Sequence, residues 1–290
     1  MIVSATRHRT VTVNGLDVFY REAGDPSNPT LLLLHGFPSS SHMFRNLIRS
    51  LADSYHLVAP DHIGFGQSSM PSVHEFDYSF DNLTNITEKL IAQLGLDRFA
   101  IYIHDYGAPI GLRIASAAPE RITAIITQSG NAYLEGFTPF WDILFAHAKD
   151  RAANERGVRE YLTGRKTQWQ YTHGVPADRR DLIAPEAWLL DQAGLDRKGN
   201  DEIQLQLFWD YQFNLDGYPK FQEYFRAYQP PLLVTWGRND EIFGAAGAEA
   251  YRRDLPDGEF YLLDAGHFAL ETHGDEISGR IREFLGRVVR

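Results

Sequence analysis

The chain has 290 residues, with 28 Lys and Arg against 38 Asp and Glu, a formal charge of −10, 43% apolar residues and no cysteine. Length and apolar content support one large domain or two small ones around a sizeable core. The negative charge repels phosphate backbones and anionic lipid, and the absence of thiols removes disulfides, thiolate metal sites and a cysteine nucleophile.

The first residues alternate polar and apolar side chains and lack the apolar run of a secretion signal, so a cytoplasmic setting is expected. Alternation in Thr10–Val13 and Val18–Arg21 around Asn14-Gly15 predicts a hairpin. Short runs apolar on both faces follow at Leu31–Leu34, His56–Ala59, Phe99–Ile103 and Ile122–Thr127, alternating with helical stretches. Strands of that kind are buried and parallel, and their alternation with helices indicates βαβ units. Residues 134–229 are rich in Trp, Tyr, Gln and Asp at helical spacing and predict a helical cap inserted after the sixth strand. Strands return at Leu232–Trp236 and Phe260–Leu263, and Ile277–Val289 closes the chain as an amphipathic helix. The expected architecture is a doubly wound, mostly parallel α/β sheet with residues 1–133 and 230–290 as core and 134–229 as cap.

Three residues fall at successive strand ends. Asp105 stands where the run ending at Ile103 turns within a few residues into a helix, the position at which a nucleophile elbow exposes its side chain. Without G-x-S-x-G the nucleophile would be a carboxylate; the plain alternative is that Asp105 only caps the helix. Asp240 follows the strand ending at Trp236 and His267 the strand ending at Leu263, giving the order nucleophile, acid, base. Ligands bind beyond the carboxyl ends of strands in open α/β sheets, so the three would share one crevice, with Asp264 and Glu241 as nearby competitors. Gly36 permits a tight turn that aims the Phe37 N–H above Asp105, where the Tyr106 N–H would complete an oxyanion hole; an ordinary strand-ending turn explains those residues equally. Gly64-Phe65-Gly66 lacks the third glycine of a dinucleotide loop, and the 11 histidines show no H-E-x-x-H spacing, so neither cofactor nor metal is expected.

His35-Gly36-Phe37-Pro38, the stretch from Asp61 to Ser68, His104-Asp105-Tyr106-Gly107, Trp236–Asp240 and Gly266-His267 together resemble the α/β-hydrolase superfamily, and within it the epoxide hydrolase and haloalkane dehalogenase branch. The resemblance implies an α/β-hydrolase fold of eight strands and attack by Asp105 on an electrophilic carbon. The resulting ester would be hydrolysed by water that His267 activates and Asp240 orients. The expected substrate is a small, apolar to moderately polar organic molecule, foremost an epoxide, taken by a monomer or homodimer. Tyr211, in Asp210-Tyr211-Gln212-Phe213-Asn214, matches the second of two cap tyrosines that protonate an epoxide oxygen. At the place of the first, the chain reads Phe140-Trp141-Asp142-Ile143, leaving Tyr161 or Tyr171 as substitutes. His104, Trp141 and Tyr171 are the expected substrate-binding residues. Tyr106 and Phe37 stand where dehalogenases carry halide-binding Trp and Asn, whereas Ile103, Ser40-Ser41 and Phe44-Arg45-Asn46 look more like the dehalogenase side. The alternatives are therefore a dehalogenase with an unusual halide site and a non-catalytic ligand-binding protein of the same fold.

Overall fold

A computed structural model describes residues 5–289; residues 1–4 and 290, the outermost ends of the expected core, lie outside the described residues. Eight strands form one sheet: β1 (Arg7–Val13), β2 (Leu16–Ala23), β3 (Thr30–Leu34), β4 (His56–Pro60), β5 (Phe99–His104), β6 (Ile122–Gln128), β7 (Leu232–Gly237) and β8 (Glu259–Leu263). The order is β1-β2-β4-β3-β5-β6-β7-β8. β1 and β2 form the antiparallel hairpin, with Asn14 and Gly15 both at positive φ as such a two-residue turn requires. β2 meets β4 antiparallel and every later pair is parallel.

The period of two explains the layers. Leu32 and Leu34 of β3, with Phe99, Ile101 and Ile103 of β5, join the core on one face, while Leu31, Leu33, Ala100 and Tyr102 join that on the other. Helices cover both faces: α1 (Arg45–Leu51), α2 (Phe80–Gln93) and α3 (Gly107–Ala117) between early strands, α10 (Ala245–Ala250) between β7 and β8, and α11 (Ala269–Val288) at the end. Truncating a fully buried side chain such as Ile101 to Ala costs about 2–5 kcal/mol. α11 begins well before the expected Ile277, because His273 interrupts the helical dihedrals and hides the first turns from an amphipathic pattern.

Between β6 and β7 the chain is helical: α4 (Asp142–Lys149), α5 (Arg151–Arg159), α6 (Gly164–Thr172), α7 (Pro185–Leu195), α8 (Asn200–Asp210) and α9 (Gln212–Tyr228). Among the described residues no helix is long and apolar enough to cross a membrane. Two polar clasps fix the loops above the sheet. Asp61 accepts from the Ser41 and Gln67 amides at 2.7 and 2.8 Å, and Gly66 leaves it room, since a Cβ there would stand 1.9 Å from Asp61 Oδ2. His35 accepts from the His62 amide at 3.0 Å, with the His62 ring 2.9 Å from the His35 carbonyl. Gly66 thus makes room for the Asp61 carboxylate that, with His62, ties down the loop around Phe37.

Candidate active site

The strand ends converge. Asp105 follows β5 at a φ of 50°, a left-handed conformation unusual outside glycine that turns the chain sharply into α3. Its Oδ1 accepts from the Phe37 amide at 2.7 Å and the Tyr106 amide at 2.6 Å. The two expected oxyanion donors therefore grip the carboxylate itself rather than empty space above it. Oδ2 is left facing His267 Nε2 at 3.8 Å, beyond hydrogen-bond reach.

The role of Gly36 differs from the turn expected of it. A Cβ there would lie 2.2 Å from the Asp105 Cβ, so what matters is clearance, not dihedral freedom. Gly107 likewise lets α3 pack close to β3: a Cβ there would stand 2.1 Å from the Leu34 carbonyl oxygen. Gly36→Ala is expected to displace Asp105 or the Phe37 amide and lower activity at least about 100-fold, on the scale of losing an oxyanion donor. Steady-state rates with circular dichroism as a fold control check this; a fully active, folded variant would contradict it.

His267 follows β8 and presents Nδ1 to Asp240 Oδ2 at 2.9 Å. Ser129 Oγ donates to the same oxygen at 2.7 Å, and the Ile242 and Phe243 amides donate to Oδ1 at 2.8 and 3.2 Å. Four donors occupy the acceptor capacity of the Asp240 carboxylate and fix its orientation. The neutral ring then carries its proton on Nδ1 and turns a bare Nε2 toward Asp105; that atom is buried without a partner. Gln128 Nε2 holds the His267 carbonyl at 2.9 Å. Sequence reasoning missed Ser129 and Gln128, although both adjoin the end of a strand read as buried.

Electrostatics separate the two groups. Burial raises the Asp105 carboxyl to about 6 against the lowering pull of His267 and the two amides. For His267 burial lowers the pKa, but the Asp240 and Asp105 charges outweigh it and the net shift is upward. The competitors face elsewhere: Asp264 accepts from Asn239 at 2.8 Å, and Glu241 pairs with His173 at 2.9 Å.

Cap residues bring aromatic rings over this group. Tyr211, between α8 and α9, is buried with its ring 4.3 Å from Trp141, 5.5 Å from Phe80 and 5.9 Å from Tyr106, and its hydroxyl has no hydrogen-bond partner. Asp105 is close enough to raise the phenol's pKa further after burial and Tyr218. Trp141 is thus placed beside Tyr211, with its indole N–H donating to the Ile242 carbonyl at 2.8 Å. His104 and Tyr171 are not brought into this ring cluster. The His104 imidazole donates from Nδ1 to the Gln128 carbonyl at 3.0 Å and packs 4.6 Å from the His267 ring. The Tyr171 hydroxyl is bonded to Asp191, and its ring stacks 3.9 Å from Phe268. Tyr161 is spent on the Phe140 carbonyl at 3.0 Å. Tyr218 of α9, which sequence reasoning did not single out, is also buried, and Asp105 influences its ionisation as well.

A doubly wound sheet with an acidic elbow, a histidine paired to a second acid and a helical insertion over both defines an α/β-hydrolase scaffold. Residues 29–274 match the alpha/beta hydrolase fold family, and the chain belongs to it. It is 46% identical over 276 residues to an uncharacterized hydrolase of Saccharomyces cerevisiae, covering 93% of this chain and 94% of that one. It is 36% identical over 288 residues to a haloalkane dehalogenase of Mycolicibacterium paratuberculosis, covering 92% and 86%. A crystal structure of a haloalkane dehalogenase from Agrobacterium tumefaciens superposes with a TM-score of 0.80 at 20% identity, covering 98% of each chain, a likeness of fold.

Proposed function

We propose that this hydrolase opens epoxides through a covalent ester on Asp105. The observation that carries the reading is the asymmetry of the Asp105 carboxylate: two backbone amides hold Oδ1, while Oδ2 faces His267. In the first step Oδ2 attacks an epoxide carbon, the C–O bond breaks, and the oxygen takes the proton of Tyr211. In the second, His267 removes a proton from water and the hydroxide adds to the ester carbonyl. The negative charge then develops on Oδ1, where the Phe37 and Tyr106 amides already point. Collapse expels the alkoxide, which takes the proton from His267; the Asp105 carboxyl returns its own proton to the phenolate, and a diol leaves. Asp240 steadies the imidazolium between these transfers. No cofactor enters, and the aromatic walls suit a small apolar to moderately polar substrate.

The dehalogenase reading has one specific support, the relative of that name at 36% identity. Against it, the indole N–H of Trp141 is engaged by Ile242, and Phe37 and Tyr106 offer no side-chain N–H to a halide. Leaving-group chemistry separates the two. An alkoxide needs a proton and a halide does not, so Tyr211→Phe is expected to slow alkylation by an epoxide roughly ten- to a thousandfold and by the matched bromide much less. Single-turnover rates on a terminal epoxide and the corresponding bromoalkane check this. Rapid release of bromide by the wild type, with the epoxide left intact, would replace the reading with its rival.

A further inference from the structure

Ser129 follows β6, and β6 lies between β5 and β7 in the sheet. The chain that leaves β6 therefore emerges between the loops that carry Asp105 and Asp240. It turns at once. Ser129 has a φ of 54°, a left-handed conformation that suits glycine and disfavours a residue with a side chain. Among the described residues, the other non-glycine positions at positive φ are Asn14 in the hairpin turn, Gln229 at the end of α9, and Asp105 itself. The turn is held without help from the serine side chain, because the Gly130 carbonyl accepts from the Tyr251 hydroxyl at 2.7 Å and from Thr127 Oγ1 at 3.2 Å. Glycine would satisfy this backbone; what serine adds is a hydroxyl.

That hydroxyl donates to Asp240 Oδ2 at 2.7 Å, the same oxygen to which His267 Nδ1 donates at 2.9 Å. Orientation alone does not require it, since the Ile242 and Phe243 amides hold Oδ1. A hydroxyl on Oδ2 takes up part of the negative charge that would otherwise attract the Nδ1 proton, so the two bonds compete. The titratable groups facing the His267 ring are Asp240 from the end of β7, and Asp105 and His104 from the end of β5. Against the lowering effect of burial, Asp240 and Asp105 both favour the imidazolium, whereas His104 is kept neutral by its own burial. An imidazole between two carboxylates tends to stay protonated, and a protonated ring cannot take a proton from water. It would also pair with Asp105 Oδ2 and blunt the nucleophile. A counterweight on Asp240 opposes both effects.

We infer that Ser129 is a positioning residue for the catalytic base: by sharing Asp240 Oδ2 with the imidazole, its hydroxyl limits how firmly Asp240 holds the protonated ring and leaves His267 free to take a proton from water. The left-handed backbone at Ser129 is what brings the hydroxyl to that oxygen. The hydroxyl keeps its own proton throughout. Its effect falls on ester hydrolysis, a step that epoxide and halide substrates would share, so the inference rests on the ester at Asp105 and not on the leaving group. Once the ester has formed, Asp105 carries no charge, and Asp240 is the carboxylate that still acts on the ring. The influence of Ser129 is therefore clearest in that state.

The test compares wild type with Ser129→Ala and Ser129→Gly. Both variants lose the hydroxyl, and glycine is at ease at a φ of 54°. The first readout is the titration of His267, followed by NMR of ¹⁵N-histidine-labelled enzyme without substrate, with His267→Gln to assign the resonance. In both variants the midpoint is expected to rise by roughly 0.5 to 1 pH unit, which is about a three- to tenfold change in proton affinity. The second readout is the single-turnover rate of ester hydrolysis from pH 4 to pH 9. Its acid limb should move up by the same amount while the alkaline plateau stays within about threefold of wild type. Damage to packing would instead lower the rate at every pH and leave the limb in place, and that result overturns the inference. A His267 midpoint that stays or falls in both variants overturns it as well, as does a rise in the alanine variant alone, which would tie the effect to the backbone and not the hydroxyl. A midpoint that rises in both variants of an enzyme that forms no ester on Asp105 removes the proposed reaction while the hold of Ser129 on His267 stands.

Discussion

In His267→Gln the reaction is expected to stop after one equivalent of epoxide, with the carbon skeleton held as an ester on Asp105. Alkylation needs only the carboxylate, whose Oδ1 stays gripped by the Phe37 and Tyr106 amides. Hydrolysis needs a base for water, and a glutamine amide accepts no proton, so diol release should fall by about 10²–10⁴-fold or more. Glutamine is close in size to histidine and can keep a hydrogen bond to Asp240, which limits collateral unfolding. The check is rapid-quench measurement of epoxide consumed and diol released in the same sample. Steady diol release at the wild-type rate would assign the base elsewhere.

Acid is expected to slow the enzyme in two places. Asp105 must be ionised to attack, and its carboxyl is raised to about 6 by burial, so below about pH 6 alkylation should fall about tenfold for each pH unit. His267 must be neutral to accept a proton from water, and its pKa is raised because the Asp240 and Asp105 charges outweigh the effect of burial. Ester hydrolysis should therefore also weaken as pH falls. Esterification removes the charge of Asp105, one of the two that raise His267, so the base becomes easier to free once the ester has formed. The Tyr211 phenol is raised well above 10 and that of Tyr218 is raised as well, so loss of the acid should produce no alkaline decline up to about pH 10. Pre-steady-state rates of both steps from pH 4 to pH 10 check the profile. A flat alkylation rate down to pH 4 would contradict an enclosed carboxylate as nucleophile.

Much of this arrangement was legible in the sequence because the strands at its centre are buried on both faces. β3, β5 and β7 are wholly apolar or nearly so, which marks both their extent and the loops at which Asp105 and Asp240 stand. β8, at the sheet edge, is only half-buried for most of its length, yet its aromatic and aliphatic side chains still betray it. What the sequence hid are contacts between distant segments. Tyr171 and Tyr161 read as cap phenols available to a substrate, but Asp191 and the Phe140 carbonyl, each from another turn of the cap, engage them. Trp141 reads as a pocket wall, and nothing local shows that its N–H is bound by Ile242 across the cap–core boundary. Tyr218 and Ser129 were hidden in the same way. Gly36 was recognisable as a special position, though the reason, proximity to Asp105, comes from tertiary packing.

The covalent role of Asp105 is tested most directly by a single turnover in ¹⁸O-labelled water with enzyme in excess over epoxide. Attack by Oδ2 transfers an oxygen of Asp105 to the product, and water replaces it by adding at the carboxyl carbon. The diol from the first turnover should carry no heavy oxygen, and the peptide containing Asp105 should gain one. A labelled diol with an unlabelled Asp105 would mean that water attacks the epoxide directly, and would contradict the ester on which this account rests.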